Sequence, residues 1–245
     1  VVIEVSNGEI RVLNRQGQEK TRNVGRDHLL PFTALHSGRW VFDGEVVGRT
    51  LVLFDIAAAS DGNHVWVHED TSFTQRYQVL SLLSAVLGIP HARPDVPEAV
   101  VLAPVASTLE QKADFLATAI KDQREGIILR LSAGLYEPGR RSTTLIKHKF
   151  IKDADVIVTA LHGTKQSATL SVYTADGDLV EVGAASTIGK GDVSIGDVWV
   201  VTFLYVINPE HPRMFQPRIV RRREDKAAAD CSIEQFADAG TSKGV

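Results

Sequence analysis

Trp40-Val41-Phe42-Asp43-Gly44-Glu45-Val46-Val47, then Gly48-Arg49, then Thr50-Leu51-Val52-Leu53-Phe54-Asp55-Ile56 is the stretch that decides the fold. Two runs rich in β-branched and aromatic residues flank a glycine turn, which predicts a pair of strands. Upstream, Val1–Ser6 and Glu9–Leu13 flank Asn7-Gly8, a dipeptide that tolerates the positive φ of a tight hairpin. Downstream the spacing turns helical. Phe73, Tyr77, Leu80, Leu83 and Leu87 share one face of a helix over 73–87, which Gly88 and Pro90 stop. After a short strand at Val100–Ala103, a second helix spans 109–121. Ser107 and Glu110 read as its capping box, ahead of a stripe of Leu109, Ala113, Leu116 and Ile120. Gly126–Arg130 and Thr144–Lys149 read as strands.

Beyond Ala154 the pattern is nearly all strand, at Val156–Leu161, Ala168–Tyr173, Leu179–Val182 and Val198–Val206, with turns at Gly177-Asp178 and Gly196-Asp197. About five strands in roughly 70 residues suggest a small barrel such as an OB-fold. The expectation is an α+β chain of two domains: 1–152, antiparallel sheets with helices, and 153–245, an OB-fold β-barrel with a C-terminal tail.

Composition narrows the function classes. The 245 residues exceed the usual single domain, and 44% are hydrophobic, enough for two cores. No apolar run approaches the roughly 20 residues that span a bilayer. Val1–Val5 alternates like a strand rather than reading as a signal peptide. A single cysteine, Cys231, permits no internal disulfide and fits a reducing cytosol. The net charge of −3 argues against binding nucleic acid by overall charge, but Lys and Arg cluster in Arg140–Lys152 and Arg213–Lys226.

Four segments carry chemistry. Asp43-Gly44-Glu45 reads either as a turn with a solvated carboxylate or as an acidic site, with Phe54-Asp55 shortly after. Glu125 opens an apolar strand read as buried, where it is a strand-end charge or a ligand for a hard divalent cation. Lys147 and Lys149 alternate on one strand face, with His148 turned the other way to pack. Two ammonium groups held together suit an anion between them, or protect an edge strand. The run from Phe215 to Lys226 is a solvated surface or a segment facing nucleotide or DNA.

In this order and spacing the segments resemble the motif series of covalent nucleotidyltransferases, specifically ATP-dependent DNA ligases of the compact phage and bacterial type. The resemblance covers about Val2 to Cys231, and it implies a nucleotidyltransferase (ATP-grasp-like adenylation) domain followed by the OB-fold. It implies that Arg15, in Asn14-Arg15-Gln16-Gly17, contacts the AMP ribose or the nick 5′-phosphate. Glu45 is implied near the ribose and a metal, Phe54 stacked on adenine, and Glu125 on the metal. Lys147 and Lys149 are implied to neutralise the α-phosphate, and Arg223, Asp225 and Lys226 to orient the pyrophosphate. Arg140, Arg141, Arg218 and Arg221 are expected on DNA.

The implied reaction uses ATP, with AMP as covalent intermediate, and Mg²⁺. It seals nicked double-stranded DNA in replication or repair, by a cytoplasmic monomer without a membrane, in a bacterial cell or a phage-infected host. Family members often carry tryptophan where this chain has Leu145. No Lys-x-Asp-Gly nucleophile motif is found. The nearest match, Lys190-Gly191-Asp192-Val193, lies in the expected barrel, and the only methionine is Met214. The reading is therefore that the sequence starts downstream of the nucleophile, and that this chain does not adenylylate itself. An RNA ligase, a capping guanylyltransferase and a silent nick-binding module are the alternatives.

Overall fold

The computed structural model describes residues 1–92, 99–140, 142–208, 210–237 and 239. It divides into two compact units, Val1–Lys112 with Ile128–Lys147, and Ala113–Ile127 with His148–Lys243. The architecture is mixed, sheets with few helices.

In the first unit β1 (Val2–Ser6) and β2 (Glu9–Leu13) form the hairpin expected from Asn7-Gly8, whose φ angles are 49° and 84°. α1 (Arg26–Leu29) lies between β2 and β3 (Arg39–Val47). β3 pairs antiparallel with β1 on one side and with β4 (Thr50–Ser60) on the other. The far edge of β4 takes two partners: β5 (Val65–Val67) at Ala59–Ser60, and β6 (Val100–Leu102) at Leu51–Leu53. β6 is parallel to β4, so the expectation of purely antiparallel pairing is corrected. The physical reason is the crossover through α2 (Phe73–Val86), which brings the chain back in the same direction.

The core of this unit gathers Ile3, Val5, Val12, Phe32, Phe42, Leu51, Leu53, Ile56, Leu80 and Leu102. α2 starts at a capping box between Ser72 and Gln75. Its expected face is inward, with Phe73 and Leu80 buried and Tyr77, Leu83 and Leu87 packed on the core. One buried charge, Arg76, shares that face.

α3 (Leu109–Lys121) forms as expected, but its cap sits one residue on. Gln111 N donates to Thr108 Oγ1 at 3.2 Å, and Gln111 Oε1 accepts from the backbone of Ser107 and Thr108. The expected stripe is mostly uncovered; Leu109 is 86% exposed and only Ala119 is buried. β7 (Gly126–Arg130) and β8 (Leu145–Lys149) pair as a two-stranded sheet.

The second unit is built on a five-stranded antiparallel sheet. β9 (Lys152–His162), β10 (Ser167–Tyr173), β11 (Leu179–Ser186), β12 (Val198–Phe203) and β13 (Arg218–Arg222) take the order β11-β10-β9-β12-β13. β12 ends before the expected Val206, because the backbone from Leu204 pairs with Phe215 instead. Met214 N then donates to Val182 O of β11 at 2.8 Å, so the segment leading into β13 reaches the opposite edge strand. β13 stood outside the expected strands, since only Ile219 of its five residues is buried and its charges mask the period. Val156, Val158, Leu170, Val172, Val182, Val201, Phe203, Ile219, Cys231 and Phe236 form the core.

Candidate active site

The Asp43-Gly44-Glu45 segment lies in the middle of β3, not in a turn. Asp43 pairs with Asp55 and Gly44 with Leu53, so Phe54 is the extra residue of a bulge on β4. A bulge re-aims side chains and breaks alternation. Leu53 and Asp55 are buried on either side of Phe54, which is half-buried; a second shift skips Ala57, next to buried Ile56. Gly44 permits the close pairing there, because a Cβ would stand 2.8 Å from Val52 O. Glu45 is exposed.

The bulge delivers Asp55 to two arginines. Arg76 Nε and Nη2 donate to its two oxygens at 2.8 and 3.1 Å, and Arg130 Nη1 reaches Oδ2 at 2.5 Å. Both Asp55 and Arg76 are 2% exposed. Arg76 Nη1 donates to Thr71 O at 2.6 Å and Gly134 O at 3.0 Å, giving the buried guanidinium four hydrogen bonds to protein oxygens. Arg130 lies over the Phe73 ring at 4.7 Å and the Phe54 ring at 5.5 Å. Beside them the Tyr136 hydroxyl donates to Asp43 Oδ2 at 3.1 Å. Burial pushes the Asp43 carboxyl above its usual range, opposed by that hydrogen bond. Burial also raises the Tyr136 phenol, helped by the charge of Asp43.

Asp55, Arg76, Arg130 and Tyr136 were not among the expected site residues. A signal existed. Arg76 is the only charge in α2, Arg130 the only one in β7, and Asp55 the only one in β4. Lone opposite charges in apolar elements point to a buried pair.

Arg15 sits exposed at the tip of a turn closed by Asn14, whose Oδ1 accepts from Gln16 N and Gln18 N at 3.0 and 2.9 Å. Lys147 is exposed, with no ion pair among the described residues. Arg140 is exposed; Arg141 lies outside the described residues. In the second unit, Glu125 is bound to Lys149 Nζ at 2.7 Å, their side chains 50% and 39% exposed. Gly126 is required beside it, since a Cβ would stand 2.2 Å from His148 O. The expectation of a buried strand after Glu125 is corrected: Ile128 and Leu129 are 54% and 50% exposed, because a two-stranded sheet covers neither face fully. His148 is exposed rather than packed away and meets Phe150 edge-on.

The C-terminal motif residues gather on Asp155. Arg223 Nη1 contacts both its oxygens, at 3.1 and 3.0 Å, and Lys226 Nζ reaches Oδ2 at 2.8 Å. Arg223 also forks onto Asp225, at 2.8 and 2.9 Å, which pulls the Asp225 carboxyl down to about 2. Gln235 fixes Asp155 by accepting from its N–H and donating to its C=O. Arg218 and Arg221 are exposed on β13.

Residues 48–149 match the family described as ATP dependent DNA ligase domain. The matched span includes Phe54, Glu125, Lys147 and Lys149. No curated protein matches in sequence. Among solved structures the chain is similar to a Lig E DNA ligase, 16% identical, covering 91% of this chain and 89% of that one with a TM-score of 0.57. It is also similar to Pmar-Lig_Pre, at 14% identity, 92% and 61% coverage and a TM-score of 0.66. Mycobacterial DNA ligase D complexed with ATP and MES is 18% identical, over 94% of this chain and 87% of that one, with a TM-score of 0.50. At such identities the likeness is one of fold.

The ligase family implies ATP and, usually, Mg²⁺. Among the described residues no group of three or more His, Cys, Asp or Glu stands ready to hold a metal. Mg²⁺ does not require such a group, since it keeps several waters and takes one or two carboxylates together with phosphate oxygens.

Proposed function

We propose that this chain supplies the nucleotidyltransferase and OB-fold parts of an ATP-dependent DNA ligase that seals 3′-hydroxyl/5′-phosphate nicks in duplex DNA. The observation that carries this is the ligase-domain match across Phe54, Glu125, Lys147 and Lys149. The similar structures add support, one described as DNA binding with a minimal scaffold, another as complexed with ATP. The five-stranded antiparallel sheet, with Met214 returning to β11, supports the OB-fold reading of the second unit.

In this reading Phe54 stacks on adenine, and Glu45 and Glu125 are the carboxylates for Mg²⁺, which when bound offsets negative charge on the phosphoryl oxygens. Lys147 and Lys149 lie two apart on β8 and share a face, so both ammonium groups face one α-phosphate. Arg15 takes the 5′-phosphate, and Arg223 and Lys226 take the pyrophosphate. Arg140, Arg141, Arg218 and Arg221 hold the duplex backbone. Preorganised cations of this kind lower the barrier as charge moves onto the leaving oxygen, by on the order of 3 kcal/mol each, about a hundredfold in rate. A reducing cytosol belongs to the same reading, with Cys231 buried and unpaired.

The test is a nicked duplex already carrying 5′-AMP, incubated with the 245-residue chain and Mg²⁺. Sealing is expected, because that step needs the pocket and the 3′-hydroxyl but no lysine nucleophile. A duplex that stays open defeats the proposal. Sealing confined to nicks in RNA strands redirects it to an RNA ligase.

A further inference from the structure

Arg130 links the buried Asp55–Arg76 pair to the Phe54 ring. Its guanidinium is held at Asp55 Oδ2, 2.5 Å away, by a carboxylate that is itself immobilised. Asp55 also takes the fork of Arg76 and the N–H of Ile56 at 2.9 Å, and Arg76 is anchored to two backbone carbonyls. Held from behind in this way, Arg130 spans the rings of Phe73 and Phe54. Only 15% of its side chain is exposed, so phosphate has little access to it.

We propose that Arg130 is a positioning residue for base recognition, fixing the Phe54 ring so that a purine can stack on it. This rests on the reading of Phe54 as the adenine platform. Two physical effects combine. The bulge leaves Phe54 free of a regular strand partner, so its ring needs an external stop, and a planar guanidinium supplies one. A cation against one ring face also draws electron density from the other, which favours stacking by an electron-rich purine. The chain Arg76–Asp55–Arg130–Phe54 thus runs from a buried anchor to the base.

The test measures binding of ATP and of inorganic tripolyphosphate to the 245-residue chain by calorimetry. The variants are Arg130→Met, Arg130→Lys and Phe54→Leu, with thermal melts alongside. Arg130→Met is expected to weaken ATP about fivefold, or about 1 kcal/mol at 1.4 kcal/mol per tenfold. Tripolyphosphate, which has no base, should change less than about twofold by the same argument. Arg130→Lys keeps the ion pair but loses the planar stack, and should fall between; it carries the test if Arg130→Met does not fold. Equal weakening of both ligands, or no weakening, overturns the inference. If Phe54→Leu abolishes the preference for ATP while both Arg130 variants keep it, only the role of Arg130 fails. If Phe54→Leu has no effect on that preference, or the unaltered chain shows none, the adenine reading falls and the inference with it.

Discussion

Each unit contains an aspartate that binds two cations, and the two sites differ mainly in water. Asp55 holds Arg76 and Arg130 with side-chain exposures of 3%, 2% and 15%. Asp155 holds Arg223 and Lys226 at 15%, 22% and 23%. Distances are alike, between 2.5 and 3.1 Å. Burial decides what each can do. A dry pair is costly to break, because the partner left behind is an uncompensated charge in a medium of low dielectric. A pair at the edge of solvent exchanges partners readily, since water already screens it. The first arrangement suits a fixed support, and the second suits cations that must meet a phosphate.

The contrast can be broken most directly at Asp55. Asp55→Ala strands Arg76 among Phe73, Tyr136 and the core, and should cost about 3–5 kcal/mol of folding stability, read from urea denaturation midpoints. A loss under about 1 kcal/mol, the range of a surface pair, shows that the two sites do not differ as argued. Asp155→Asn should cost only about 1 kcal/mol, and it releases Arg223 and Lys226. Affinity of the second site for tripolyphosphate should then rise about two- to threefold, as removal of one screened negative charge implies. If Asp155→Asn is the more damaging change, the assignment of support and exchangeable site is reversed.

These two sites were unequally legible. Arg223, Asp225 and Lys226 stand together in the chain, so the family resemblance could single them out, but not that Asp155, 68 residues from Arg223, holds Arg223 and Lys226. Asp55, Arg76 and Arg130 come from three elements, and only folding unites them. Hairpins such as Asn7-Gly8 are local and were read correctly. Phe54 was singled out, yet its bulge was invisible, because Leu51–Ile56 is apolar everywhere but at Asp55 and carries no alternation for an extra residue to interrupt. Helix α3 shows the opposite failure: its stripe is plain in the sequence, and little of it is covered. Amphipathic spacing reports which face could be buried, and what buries it is a separate fact.

β13 sharpens the comparison on a finer scale, because a paired and an unpaired arginine stand side by side on it. Arg222 is tied to Asp197 at 2.6 Å, whereas Arg218 and Arg221 have no ion pair among the described residues. Unpaired arginines are free to take duplex phosphates. Binding of nicked duplex should therefore weaken steeply with salt, and Arg221→Gln should reduce the log–log slope by about one. Arg222→Gln should leave the slope nearly unchanged, since that side chain is already engaged. Equal effects from the two substitutions, measured by anisotropy between low and moderate salt, would remove the distinction.

The smallest effect separates two carboxylates by sign. Asp225, held by the Arg223 fork, titrates near 2 rather than at its ordinary 3.8. Its folded form binds protons less readily than the unfolded chain, so its contribution to stability is complete above about 3.8 and disappears as pH falls toward 2. Asp43 runs the other way. Burial raises its carboxyl above 3.8, so what it contributes is present below that value and is lost as pH rises through the folded value. Carboxyl carbon NMR titrations should place Asp225 near 2 and Asp43 above 3.8 in one sample. Arg223→Gln should return Asp225 toward 3.8 and leave Asp43 where it was. An Asp225 midpoint that ignores the loss of Arg223 means the fork is not formed in solution, and with it goes the picture of Arg223 as a cation held ready by two carboxylates.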